Sequence, residues 1–145
     1  MRQNSRGSQV SQEMAAQDFC AVTNSFLMNH FISVTEAAVM TQRYRNQKEN
    51  ILKTNYEGQN LLCISETFDR APFDTVLGKS GCMGLRIYYG MSEDFKIHAI
   101  IVGVDAANAD ILPDSSVSLT EEDDSVIDRA IRCPDLCPEP SPLNT

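Results

Sequence analysis

The ten residues GCMGLRIYYG at 81–90, with the strand-like run FKIHAIIVGVD close behind them, restrict the fold more than any other stretch of the chain. Along 82–91 the odd positions are Met83, Leu85, Ile87, Tyr89 and Met91, and the even ones Cys82, Gly84, Arg86, Tyr88 and Gly90. Alternation with period two is the mark of a half-buried β-strand, so the odd positions are the expected core face and the even ones a small, polar or amphipathic face. The triplet SED turns the chain, and Ile100 to Val104 is apolar on both faces. The two runs therefore predict an antiparallel hairpin whose second strand is the more central.

Helical signals surround the hairpin. From about Ser8 to Phe31 there is neither glycine nor proline, and the only formal charges between Arg6 and Arg43 are Glu13, Asp18 and Glu36. At 100° per residue Val10, Met14 and Met28 fall on one face, whereas Phe19, Val22 and Phe26 lie roughly opposite. A helix apolar on two faces wants cover on both, which makes these six residues the candidate interface of a self-associating chain. SVTE at 33–36 fits a capping box and starts a second helix with Val34, Ala37, Ala38 and Tyr44 inward. Asp69 is placed to cap a short third helix, with Pro72 in its first turn and Phe73, Val76 and Leu77 on its buried side. Between the second and third helices, LLCISETF at 61–68 is short, apolar and β-capable.

The C-terminal portion differs in character. Residues 1–104 carry ten acids and ten bases, whereas 105–145 carry ten acids against Arg129 and Arg132, so all of the net charge of −8 resides there. Such a charge distribution repels a phosphate backbone, and no basic stripe compensates, which argues against nucleic acid. A short helix from about Thr120 is expected in the acidic stretch. RCPDLCPEPSPLNT holds four of the six prolines and is expected to run as an extended tail. No apolar run reaches the roughly 18–20 residues of a bilayer span, and no secretory signal is recognisable. The cytoplasm is the expected address, with export by a non-classical route left open. Five cysteines, an odd number, fit reduced thiols better than a disulfide framework.

The chemistry-bearing residues give three alternatives to weigh. Cys133 and Cys137, with Cys82, are candidate metal ligands, but their spacing is not that of a zinc knuckle, and two cysteines packing the tail, or closing a local disulfide, are the simpler reading. Arg86, Tyr88, Lys96 and His98 share the non-core hairpin face as a candidate anion or partner site, a composition that solvent-facing cross-strand pairs also produce. For catalysis, His30 and His98 stand in no nucleophile or metal motif and no GxSxG occurs. GKS at 78–80 lacks the first glycine of a phosphate loop, because Phe73 holds that position. No catalytic residue and no cofactor is therefore expected.

Three segments together, ISVTEAAVMTQRYR, FDRAPFDTVLGKSGCMGLRIYYGMSEDFKIHAIIVGVDAANADIL and RCPDLCPEPSPLN, resemble a group of small uncharacterised proteins common in Bacteroidota genomes. The resemblance covers residues 32–144 and rests on a GCxGIRIYYG-like strand, an LVGVD-like strand and a CPxxC-like ending, with Leu85 where isoleucine is usual. It implies this order of elements and a bacterial source, and brings no activity with it. The expected fold is α+β: two N-terminal helices on a small, mainly antiparallel sheet of about three strands, near 61–65, 82–91 and 95–104, with a short helix crossing between the first two. The expected organisation is a helical assembly segment at 1–31, a core at 32–112 and an acidic, Pro-rich segment at 113–145. The expected function is non-enzymatic self-assembly as a homo-oligomer or filament. An adaptor or ligand-binding role of the hairpin face comes second, and a thiol-redox role of Cys133 and Cys137 third.

Overall fold

The computed structural model describes residues 29–113 and 124–145. The protein is α+β, with two α-helices and two antiparallel sheets among those residues: α1 Val34–Gln47, β1 Ser65–Thr67, α2 Arg70–Leu77, β2 Gly84–Met91, β3 Ile97–Val104, β4 Asp110–Ile111, β5 Val126–Ile127 and β6 Ile131–Cys133. The predicted first helix, with Val10, Met14, Phe19, Val22, Phe26 and Met28, lies outside the described residues, as does the expected start of a helix at Thr120. No described helix is long and apolar enough to cross a membrane.

The hairpin forms as the alternation requires. β2 and β3 pair without a bulge from Gly84 opposite Val104 to Met91 opposite Ile97. In the turn, Ser92 N donates to the Lys96 carbonyl (3.0 Å), and Phe95 adopts φ 65°, the left-handed residue that closes a three-residue hairpin loop. The Phe95 ring packs on Tyr56 with centroids 5.5 Å apart, which anchors a side chain whose backbone conformation would otherwise favour glycine. β3 is the central strand: β2 flanks one side, and β4 and β5 share the other. Its residues Ile101 to Val104 are buried, as expected of a run apolar on both faces.

The core sits where α2 meets β3 and β5. Val76 packs with Ile101 and Ile127, and Phe68 and Phe73 close around them edge to face. Gly103 permits this approach, since a Cβ there would lie 3.2 Å from Val76 Cγ1 and 3.1 Å from Cys82 Sγ. Leu77, expected inside, is exposed, because an eight-residue helix presents only a narrow stripe to the sheet. Asp69 stands at the N-cap position but its side chain makes no capping hydrogen bond.

α1 begins where the capping signal puts it, with the Ser33 hydroxyl accepting from Glu36 N at 3.0 Å. None of its residues is buried, however, and Val34, expected inward, is largely exposed. Polar links attach the helix instead. The Tyr44 hydroxyl donates to the Cys63 carbonyl (2.7 Å), and the Arg45 guanidinium donates to the carbonyl oxygens of Leu143 and Thr145.

Two further expectations change. The strand foreseen near 61–65 lies at Ser65–Thr67, and its ladder partner is β6 rather than the hairpin. The C-terminal stretch is not an extended tail either. β5 joins β3, β6 joins β1, Cys133 and Cys137 form a disulfide, and the final turn is held by Ser141, Asn144 and Arg45. The physical reason is shared: β6 supplies the ladder partner that β1 lacks on its own, and the disulfide ties the following residues to it. By the chain-entropy relation for so short a loop, that disulfide is worth about 2 kcal/mol. Replacing Cys133 and Cys137 by serine should therefore lower stability by about that amount in urea unfolding, and an unchanged midpoint would show that β6 holds without it.

Candidate functional site

The hairpin presents an open edge. β2 is the terminal strand of its sheet, and β3 is its one ladder partner among the described residues. The direction of its backbone groups follows from the ladder. Ser92 N bonds across to Lys96 O, whereas Ile97 N donates away from β2 to Leu61 O (3.0 Å) and Ala99 N to Glu66 Oε2 (2.8 Å). In an antiparallel pair, residues that turn from the partner do so together. Leu85, Ile87, Tyr89 and Met91, opposite Gly103, Ile101, Ala99 and Ile97, therefore point their amides and carbonyls at the free edge.

The same four residues carry the largest correction to the sequence reading. They were the expected core face, yet Leu85 is 36% exposed, Ile87 55%, Tyr89 83% and Met91 64%. Alternation was right about which residues share a face. It said nothing of how far α2 reaches, and α2 covers β3 and β5. An apolar row and a row of outward-facing peptide groups thus run together along one strand.

The even face is polar and occupied. Arg86 donates to Asp110 Oδ1, to the Asn108 carbonyl (2.9 Å) and to Asn108 Oδ1 (2.5 Å), and the Tyr88 hydroxyl donates to Asp110 Oδ2 (2.6 Å). Arg86 also lies 5.9 Å from the Tyr88 ring centroid. Its hydrogen bond to the Tyr88 hydroxyl, then the charge of Asp110, hold the guanidinium above its usual range against some desolvation. Of the four residues expected to act together, the structure joins Arg86 and Tyr88, adds Asp110 and Asn108, and engages the other two elsewhere. Lys96 pairs with Asp94 in the turn (3.1 Å).

His98 belongs to a junction between the two sheets. Arg132 NH1 lies 3.0 Å from His98 Nε2, and since arginine only donates, Nε2 is the acceptor and the ring proton sits on Nδ1. Nδ1 faces Asp128 Oδ1 at 3.6 Å and Glu66 Oε1 at 4.0 Å. Arg132 Nε is 3.8 Å from Glu66 Oε1, and both side chains are about nine-tenths buried. Glu66 Oε2 accepts from Ala99 N, so this carboxylate serves β3 as a missing strand would. Glu66, Asp128, Arg132, Asp110 and Asn108 were not foreseen. Asn108, Asp110 and Arg132 each stand between apolar neighbours, Glu66 lies in the polar triplet SET and Asp128 beside Arg129, and a gap such as the 34 residues between His98 and Arg132 carries no periodic signal.

Among the described residues, the thiols are not poised for chemistry. Cys133 and Cys137 are bonded to each other, which withdraws them as metal ligands, and Cys82 donates to the Gly84 carbonyl. Burial pushes the Cys63 thiol up, the nearby Glu66 carboxylate pushes it further, and Arg132 opposes both. The folded protein thus binds this proton more tightly than the unfolded chain, whose thiol titrates near 8.5. Stability from this group is complete below about pH 8.5 and is lost as pH rises through the folded value. Tyr44, raised by its own burial and then by Cys63, continues the trend above about pH 10. Alkylation of Cys63 at pH 8 should run slower than that of a small free thiol, and Cys63→Ser should remove the first part of the alkaline decline. Labelling as fast as the free thiol would contradict the burial argument.

Comparisons with protein-family models, curated proteins and solved structures returned no match to this chain.

Proposed function

We propose that the protein is a non-enzymatic self-assembling unit whose protomers associate through the hairpin strand β2. The observation that carries this reading is the exposure of Leu85, Ile87, Tyr89 and Met91 in a row on a strand whose edge peptide groups have no ladder partner among the described residues. Isolated exposed apolar residues need no explanation, but a contiguous row of large ones favours a partner. The ligand-binding alternative draws less support, because the Arg86 and Tyr88 polar atoms already serve Asp110 and Asn108. A thiol-redox role is likewise weakened by the raised Cys63 and the closed Cys133–Cys137 pair.

Sedimentation velocity of the full chain over a concentration series tests the reading. Ile87→Lys with Tyr89→Lys should convert an associating species to monomer, while Phe19→Asp with Phe26→Asp leaves association in place. Loss of association in the second variant alone would transfer the role to the N-terminal segment first suggested by Val10, Met14, Phe19, Val22, Phe26 and Met28. A wild-type chain of 16.1 kDa at every concentration would remove the proposal.

A further inference from the structure

Resting on that reading, we infer that the partner of β2 is β2 of a second copy, paired antiparallel about a two-fold axis at Ile87, so that the two four-stranded sheets become one continuous sheet. The backbone phase imposes the first condition. Outward-facing groups belong to odd residues, so an antiparallel partner must bring odd opposite odd. A two-fold axis satisfies this automatically, because the same strand supplies both sides of the contact.

Side chains then choose among the registers. Sliding the axis to residue 86 sets Arg86 against Arg86 of the second copy, a like-charge pair directly opposite. With the axis at Ile87, isoleucine meets isoleucine and Leu85 meets Tyr89, both pairs on the exposed apolar face. On the other face Arg86 lands opposite Tyr88 of the second copy, extending the arrangement that the two residues already make within one strand. An axis at Tyr88 instead leaves Arg86 opposite Gly90, with nothing to stack upon.

The strand also lacks the devices that keep natural edges apart. Proteins guard such edges with lysine, proline, a bulge or very short strands. β2 is eight residues long, pairs continuously with β3, and contains no proline, no lysine and no acid. Its one charge, Arg86, is turned to Asp110 on the face opposite the apolar row. The net charge of −8 on each copy opposes association at low salt, so the dimer tightens as ionic strength rises.

Site-directed crosslinking of the full chain decides the register. In a Cys20→Ser, Cys63→Ser, Cys82→Ser background, Ile87→Cys should form an intermolecular disulfide under mild oxidation at least about tenfold faster than Met40→Cys, an exposed control on α1, since only residues held within the disulfide reach of about 4.4–6.8 Å between Cα atoms bridge readily. Tyr88→Cys should stay near the control rate. Sedimentation of the same samples beside the unsubstituted chain separates the two claims. Fast bridging at residue 88 rather than 87, or control-rate bridging at both in a sample that still associates, overturns the Ile87 axis and spares self-assembly. Monomer in every sample, the unsubstituted chain included, with control-rate bridging, overturns both.

Discussion

Replacing Arg132 by alanine is expected to destabilise the fold by about 3–5 kcal/mol, the range for breaking a buried ion pair from one side. The side chain is nine-tenths buried and meets Glu66 Oε1, His98 Nε2 and the Leu61 carbonyl at 3.8, 3.0 and 3.5 Å. Its removal strands a Glu66 carboxylate that is equally buried and whose Oε1 has no hydrogen-bond donor within reach. The carboxylate cannot simply leave, because Oε2 receives the Ala99 amide that would otherwise lack an acceptor on that side of β3. Total stability of a domain of this size is about 5–15 kcal/mol, so the loss is a large fraction of it. Urea unfolding measures it directly, and a cost below about 1 kcal/mol, the range of exposed pairs, would mean that water reaches the junction.

A double variant shows whether charge is the cause. Glu66→Gln retains an acceptor for Ala99 while removing the charge that Arg132 offsets. Combined with Arg132→Met, which refills the volume, it should cost clearly less than the sum of the separate substitutions, because neither partner is then left alone. Strict additivity would place the effect of Arg132 in its packing and its bond to Leu61.

The junction also marks where sequence reasoning stops. The hairpin was legible because alternation and a three-residue turn are local signals, and α1 was legible because the Ser33 cap lies three residues from its donor. β1 and β6 are three residues each, too short to alternate, and their pairing joins Ser65 to Cys133 across most of the described chain. Glu66 and Arg132 read as surface charges until that ladder sets them side by side. The candidate interface was half legible. Sequence identified Leu85, Ile87, Tyr89 and Met91 as one apolar face, but burial depends on what lies above it, and one short helix with Val76 as its buried residue cannot cover the whole sheet.

That division between covered and uncovered parts of one face yields a sharp contrast between two cross-strand neighbours. Ile101 and Ile87 are directly opposite in the ladder and share a face, yet Ile101 is 3% exposed under Val76 and Ile127 whereas Ile87 is 55% exposed. Ile101→Ala should therefore cost about 2–5 kcal/mol of folding stability, the transfer of the lost methylenes plus the cavity they leave. Ile87→Ala should cost the monomer less than about 1 kcal/mol. For association the order reverses. Ile87 sits on the proposed axis and is counted twice in a two-fold contact, so its truncation should weaken association by at least about 2 kcal/mol, roughly thirtyfold, as central hot-spot residues do. Ile101→Ala, measured under conditions where it remains folded, should leave the association constant within about twofold, since its side chain is sealed beneath α2. Parallel urea titrations and sedimentation series on the two variants read both effects. If Ile87→Ala destabilised the monomer as much as Ile101→Ala, the β2 face would be covered within the single chain, and a surface already covered has no call for a second copy.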